Sequence, residues 1–351
     1  MAASAPQRRI AASTLEAYAA ALLAAGGFAP GHADETARML VWANLRGVDS
    51  HGVLRIPRYV EMVELGLVNP AAEIRQVAGK GAVVVLDADR APGAVAMNAA
   101  AERAMAAARD HGVGWCVVRR ITHAGAIGIY AEAIAAAGFV ALVMTASKPL
   151  MLYHGTRVEG VSTNPLAIAA PTAEAGRPLI FDMSTAAVAA GKITAAKDAG
   201  RAIPPGWAVD AEGRETTDPA AVKAVLPMAG PKGSGLSLMI EVLASVLVGN
   251  PLLTVALGDG SEPGGNGIVV ALDPAAFGAA EAFPAGVSDL AAAIKALPAA
   301  AGVDAVLLPG ERGDAERQRR LGAGIPVAGG TASRLAALAR KLGVAVPAEL
   351  A

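Results

Sequence analysis

The stretch AVVVLDADRAPGAVAMNAAAERAMAAARDHGVGWCVV (82–118) decides the fold class. Ala82 to Leu86 is a short apolar run rich in β-branched residues, and Trp115 to Val118 is another, so both predict strands. Between them Val95 to Arg109 is Ala-rich and predicts a helix. The alternation continues outward. Gly125 to Ala137 predicts a helix, and Phe139 to Thr145 and Leu179 to Met183 predict strands. Farther on, Gly267 to Leu272 and Ala305 to Leu308 read as strands, and Gly235 to Leu247, Val287 to Leu297 and Ala332 to Leu342 as helices. The Gly-rich segment Gly258 to Asn266 reads as a loop. The first third is helical. Ser13 and Glu16 form a capping box for Thr14 to Ala25, which Gly26-Gly27 ends. A second helix covers His32 to Arg46. A third follows Ser50 and ends near Leu65, with Pro57 bending it or delaying its start. This order of elements describes an α/β or mixed α+β protein.

The 351 residues suffice for two or three domains. Hydrophobic residues reach 54% and charged ones 17%, which permits a large core, although much of the apolar count is Ala. With 3% aromatics, a formal net charge of -1 and no basic tract, neither a base-stacking platform nor a phosphate-backbone footprint is present, so no nucleic-acid partner is expected. Cys116 is the single cysteine; it cannot form an intrachain disulfide and reads as a core thiol. His32, His51, His111, His123 and His154 lack zinc-ligand spacing, so no metal is expected. No apolar stretch follows the polar, basic Met1 to Ile10, so no signal peptide is expected. Glu241 interrupts the apolar run Leu236 to Val248, and the other long runs are interrupted too; the expectation is a cytoplasmic protein without a membrane span.

Three segments could carry chemistry. In RGVDSHGVLRIPRY (46–59), a helix begun at Ser50 would turn by ~100° per residue and put His51, Arg55 and Tyr59 on one face. Arg can grip a carboxylate bidentately and His can handle a hydroxyl proton, which is what a 2-hydroxy acid requires. Spacing alone equally describes a solvated surface helix with an ordinary Ser cap. In THAGAIG (122–128), His123 ends a strand before a helix start, a position suited to a neutral base and equally to a turn histidine bonded to backbone. GPKGSG (230–235) offers small residues, helix-start N–H groups and Lys232 to a dinucleotide phosphate, or is simply a Gly-rich helix cap. It is not a P-loop, and no GxGxxG Rossmann fingerprint is present, so a dinucleotide would need another fold.

Together with STNPLAIAAPT (162–172), FDMSTAAVAAGKI (181–193), IPPGWAVDAEGRETTDP (203–219) and LPGER (308–312), these segments resemble the type 2 malate/L-lactate dehydrogenase family, from about Ser13 to Lys341. That family also holds ureidoglycolate, sulfolactate and Δ1-piperideine-2-carboxylate enzymes. The resemblance implies a non-Rossmann NAD(P)-binding domain with a mixed, largely antiparallel sheet over 76–309. It implies a helical domain built from 1–75 with 310–351, and a homodimer with the active site near the subunit interface. It implies NAD or NADP as cofactor and a small 2-hydroxy or 2-oxo acid as substrate. Ser50, His51, Arg55 and Tyr59 would line the substrate site, with Thr163 a substrate contact and His123 the proton acceptor. In the cyclic-imine reductases of the family, the positions of Ser50, His51 and Asp198 form a proton relay instead. Ser147, Asp182, Met183, Ser184, Lys232, Gly310, Glu311 and Arg312 match cofactor contacts. The chain departs from the family where many members read KGYG and it reads Lys232-Gly233-Ser234-Gly235, and in a short segment after Leu247. Pro231 is closer to the ureidoglycolate type and Ser234 to the imine reductases.

Overall fold

The computed structural model describes residues 8–351 apart from 175, 199, 261–263 and 279, with the backbone alone at 190, 195, 198 and 259. The chain opens with β1 (Arg8–Ile10), α1 (Ala12–Ala25) and α2 (Pro30–Leu45). Two 3-10 turns (Asp49–His51 and Val53–Arg55) lead into α3 (Ile56–Glu64). Next come β2 (Arg75–Lys80), β3 (Val83–Asp87), α4 (Gly93–His111), β4 (Val113–Ile121), α5 (Gly128–Ala136) and β5 (Val140–Ser147). Short strands β6 (Met151–Leu152) and β7 (Glu159–Val161) precede β8 (Leu166–Ala170), β9 (Leu179–Met183) and α6 (Ala190–Asp198). After β10 (Ala208–Val209) and β11 (Ala224–Val225), α7 (Pro231–Glu241) runs into a π-helical turn (Val242–Val246). The chain ends with α8 (Leu252–Asp259), β12 (Gly265–Leu272), α9 (Ala282–Lys295), α10 (Glu311–Ala323), β13 (Ile325–Val327) and α11 (Gly329–Leu342).

The 82–118 stretch forms β3, α4 and β4, a parallel pair joined by a helical crossover. They enter a seven-stranded sheet of order β2-β3-β4-β12-β5-β8-β9. Every other neighbouring pair in it is antiparallel, so the sheet is mixed and largely antiparallel as expected. Its middle strands are apolar on both faces because both faces are covered. On β12, Val269 and Ala271 point into the core shared with α1, α2, α4 and α5, while Ile268 and Val270 point into a second core with Ile240 and Ala244. Burying each of the Val and Ile side chains among them contributes about 1.5–3 kcal/mol. Cys116 lies in the first core, fully buried, and burial pushes its thiol up to about 12.

Both ends of the chain meet on this scaffold. β1 pairs antiparallel with β13, Tyr18 Oη donates to the Leu335 carbonyl, and α11 packs on α1 and α3. Glu241 is buried because its carboxylate accepts from the Leu252 and Leu253 N–H groups at 2.8 and 3.0 Å, capping α8. Among the described residues no helix is long and apolar enough to cross a membrane.

Several local expectations are corrected. Ala11, not Ser13, stands at the start of α1, and it makes no side-chain cap bond. Ala305 to Leu308 is irregular and not a strand. Gly258 belongs to α8, and Gly265-Asn266 to β12, so the expected loop is shorter, and its 261–263 part lies outside the described residues. Helices α6 and α10 carry little apolar periodicity, so the sequence pattern does not predict them. The expected third helix breaks into the two 3-10 turns before α3, which begins next to Pro57.

Candidate active site

Asn44, buried in the last turn of α2, explains why no α-helix starts at Ser50. Its carboxamide Oδ1 accepts from Val53 N at 2.8 Å, and its Nδ2 donates to Asp49 Oδ1 at 2.6 Å. Gly52 passes so close that a Cβ there would lie 2.2 Å from Asn44 Oδ1. The backbone is therefore extended at Gly52, and helical geometry is interrupted between the two 3-10 turns. His51, Arg55 and Tyr59 do not form one continuous i, i+4, i+8 face, yet they converge. Arg55 Nε donates to the Ser50 carbonyl at 2.8 Å, and Ser50 Oγ lies 2.9 Å from His51 Nδ1.

His123 reaches the same place from the end of β4. Arg120, just upstream, and the Asp89-Arg90 pair, in which Arg90 N donates to the Arg120 carbonyl, all adopt left-handed φ angles of 57, 50 and 61°, a costly conformation for side-chain-bearing residues. Such strain persists only when its surroundings over-determine it. Here buried Asn266 accepts from Arg120 N at 3.0 Å, and Arg120 pairs with Asp87. Gly93 lets α4 press against the loop, since a Cβ there would stand 2.3 Å from the His123 carbonyl oxygen.

The His123 ring stacks on His51 with centroids 5.5 Å apart and planes 19° from parallel. Tyr59 Oη lies 2.6 Å from His123 Nδ1, and Tyr59 is itself buried. His123 remains solvent-accessible, but protein crowds it. Desolvation first, then repulsion from His51 and Arg55, drives its pKa down to about 3. Desolvation and Arg55 drive His51 down to about 4. The cluster thus presents one permanent cation, Arg55, beside two neutral imidazoles and two hydroxyls.

The 181–191 segment joins this cluster to the residues matched to cofactor contacts. At one end Asp182 Oδ2 accepts from Gly128 N at 2.9 Å, at the start of the helix that follows His123. In its middle the Thr185 carbonyl backs Gly233, where a Cβ would approach it to 2.5 Å. At its far end Gly191 abuts Ser50; a Cβ on Gly191 would stand 2.3 Å from the Ser50 Cβ. Ser184 Oγ donates to the Thr163 carbonyl at 3.1 Å, and Ser147 Oγ meets Ser162 Oγ at 2.7 Å. Thr163 is therefore brought against Ser184, without a bond to Arg55 or either histidine.

The donor set suits a dinucleotide. Lys232 is exposed and pairs with no carboxylate among the described residues, leaving a cation for a phosphate. Asp182 is accessible, and crowding raises its carboxyl to about 6, chiefly by desolvation; its second oxygen is an acceptor for a hydroxyl or amide. Buried Thr185 Oγ1, beside Ser184, has no hydrogen-bond partner among the described residues. One expectation is corrected here. The N–H groups of Lys232, Gly233 and Ser234 are bonded to the carbonyls of Ala229, Met228 and Gly230, so the 230–235 turn offers the Lys232 ammonium rather than free amides. Glu311 is likewise engaged, with Lys295 at 2.5 Å and Leu308 N at 3.0 Å, and the Gly310 carbonyl accepts from Arg46. Arg312 and half-buried Met183 remain open to solvent.

The family described as malate/L-lactate dehydrogenase matches residues 10–336. The chain belongs to the malate/L-lactate dehydrogenase family. Ureidoglycolate dehydrogenase (NAD(+)) of Escherichia coli (strain K12) is 35% identical over 323 residues, 91% of this chain and 92% of that protein. The Δ1-pyrroline-2-carboxylate reductase of Ancylobacter novellus is 34% identical over 324 residues, 90% and 93% of the two chains. The solved malate dehydrogenase from Pyrococcus horikoshii OT3 superposes with a TM-score of 0.88 at 29% identity, covering 97% of each chain.

In this malate/L-lactate dehydrogenase family member, Ser50, His51, Arg55, Tyr59 and His123 form one cluster. Ser147, Thr163, Asp182, Met183, Ser184 and Lys232 belong to segments packed on one another beside it. Asp198 ends α6, about 10 Å along the helix axis from Gly191, and its side chain lies outside the described residues. Sequence reasoning missed Asn44, which bonds Asp49 and Val53, and Arg320, which bonds Asp49. A buried Asn inside the apolar run His32 to Arg46 was the one available signal.

Proposed function

We propose that this chain is an NAD(P)-dependent dehydrogenase that interconverts a small 2-hydroxy acid and its 2-oxo acid, of the malate, lactate, ureidoglycolate or sulfolactate type. The observation that carries the reading is His123, open to solvent, bonded to Tyr59, stacked on His51 and within the field of Arg55. Arg55 binds the substrate carboxylate. With its proton on Nδ1, His123 donates to the Tyr59 oxygen and leaves Nε2 free to take the substrate hydroxyl proton. NAD(P), when bound, takes up or supplies the hydride. Arg55 and His51 disfavour an imidazolium at His123; a substrate carboxylate neutralises Arg55 and removes part of that penalty as the proton arrives. Ser50 and Tyr59 place hydroxyls beside the developing alkoxide. In the reduction direction the same imidazole returns the proton.

A second reading is a cyclic-imine reductase acting on Δ1-piperideine- or Δ1-pyrroline-2-carboxylate. The 2.9 Å contact of Ser50 Oγ with His51 Nδ1 favours it, as the first link of a Ser50–His51–Asp198 proton relay. NADH and NADPH oxidation, followed by absorbance with oxaloacetate, pyruvate, an oxalurate-like acid and Δ1-piperideine-2-carboxylate, separates the two. Cofactor binding without turnover on any acid or imine, or no binding, would instead indicate a silent relative.

The reading places the enzyme in the cytoplasm as a homodimer, with 1–75 and 310–351 forming a helical unit beside a cofactor-binding unit over 76–309. Exposed apolar side chains along α7 and its π turn, including Met239 at 53% and Val246 at 53%, support a partner surface. Sedimentation at micromolar concentration tests it.

A further inference from the structure

Helix α10 is strongly polar, and its buried face is built from charge. Arg320, nearly buried, donates from Nη1 to Asp49 Oδ1 at 2.6 Å and from Nη2 to Asp49 Oδ2 at 3.0 Å. The same Nη1 reaches the Asn44 carbonyl at 2.6 Å. Glu316 orients the guanidinium by bonding its Nε, and it packs against Gly47. Two residues before Glu316 in α10, Asp314 binds Arg46. Asp49 in turn accepts from Asn44 Nδ2, and Asn44 holds Val53 N. These bonds form an unbroken path from the C-terminal part of the chain into the turn that carries Ser50, His51 and Arg55.

We propose that Arg320 is a positioning residue for the active site, holding the 49–55 turn through Asp49 and Asn44 so that Arg55 and His51 face His123. The proposal deepens the dehydrogenase reading and rests on it for its kinetic part only. Asp49 has no other guanidinium partner among the described residues, and its side chain is about half exposed, so without Arg320 only the single Asn44 Nδ2 bond to Oδ1 holds its direction and Oδ2 is left without that anchor. Lysine cannot replace the planar fork that engages both Asp49 oxygens. A displacement of about 1 Å in such a site can cost about 10²-fold in rate.

The test uses the full-length enzyme and the variants Arg320→Lys, Arg320→Met, Asp49→Asn and Arg320→Met with Asp49→Asn. Asp49→Asn keeps the buried arginine, so it covers the case in which Arg320→Met does not fold. At a temperature where each is folded, Arg320→Met and Asp49→Asn should each lower kcat/KM by about 10²-fold, with Arg320→Lys intermediate. The double variant should be no worse than the worse single one, since both break one path. The imidazole NMR signals of His51 and His123 in the ligand-free enzyme should move in Arg320→Lys and Asp49→Asn. Lowered Tm with wild-type kcat/KM and unmoved imidazole signals would show a purely structural arginine and overturn the proposal. A wild-type enzyme silent on every acid and imine defeats the functional reading alone. The imidazole signals then still decide whether Arg320 shapes the turn.

Discussion

In the 44–59 segment nearly every polar side chain is bonded to another: Asn44 to Asp49, Asp49 to Arg320, Ser50 to His51, Tyr59 to His123. In the 182–235 region the backbone does this work. Amides of the 230–235 turn bond to nearby carbonyls, Gly233 packs on bare backbone, and Lys232 and one oxygen of Asp182 are left open. The first region is assembled before any ligand arrives, as proton transfer requires of groups that must be aligned to within a fraction of an ångström. The second is a firm frame with open ends, suited to gripping a large ligand by a few charges and hydroxyls. Substitutions should therefore act on turnover in the first region and on cofactor affinity in the second.

The largest effect should come from His123→Ala, which is expected to lower kcat by about 10²–10⁴-fold in steady-state assays. Unchanged kcat would move the acid–base role to His51. Arg55→Ala comes next: loss of a charge-assisted carboxylate contact should raise KM by about 10- to 10²-fold with a smaller effect on kcat. A kcat-dominated loss would mean that Arg55 acts mainly in the transition state. Lys232→Ala should weaken NAD(P)H binding by about 10-fold in a fluorescence titration while leaving the pH profile in place. An unaltered Kd would remove Lys232 from the cofactor side and blur the contrast between the regions.

The smallest effects concern pH. Both imidazoles are held below the ordinary histidine value, so they remain neutral as pH falls through 6.5. A neutral imidazole is the form that accepts the hydroxyl proton. Activity in the oxidation direction should accordingly persist at pH 6 and fade only as pH nears the lowered values. Arg55→Ala removes one cause of the lowering and should move this acid limb upward. A wild-type limb at 6.5 or above would contradict the crowding of the two imidazoles by each other and by Arg55. Tyr59→Phe, which removes one hydrogen bond to His123, should cost about 2- to 10-fold in kcat.

Strands β3 and β9 are short, partly exposed runs whose apolar residues still mark them, and β4, β5 and β12 could be read from the chain because each is a mostly apolar run buried by its neighbours, and burial of that kind leaves a local pattern. The same holds for α1, α2, α4 and α11. The chemical inventory was legible too, since Ser50, His51, Arg55, Tyr59 and His123 stand in motifs whose residue types suit acid binding and proton transfer. The arrangement of that inventory was not legible. The break of the expected third helix follows from Asn44 reaching across Gly52, and the hold on Asp49 comes from an arginine 271 residues away in the chain. Helix α10 escaped notice because its buried face is guanidinium and carboxylate rather than aliphatic, and so carries no apolar period. Hydrophobic burial writes itself into neighbouring residues; a directional bond between distant polar groups exists only once the backbone has brought them together.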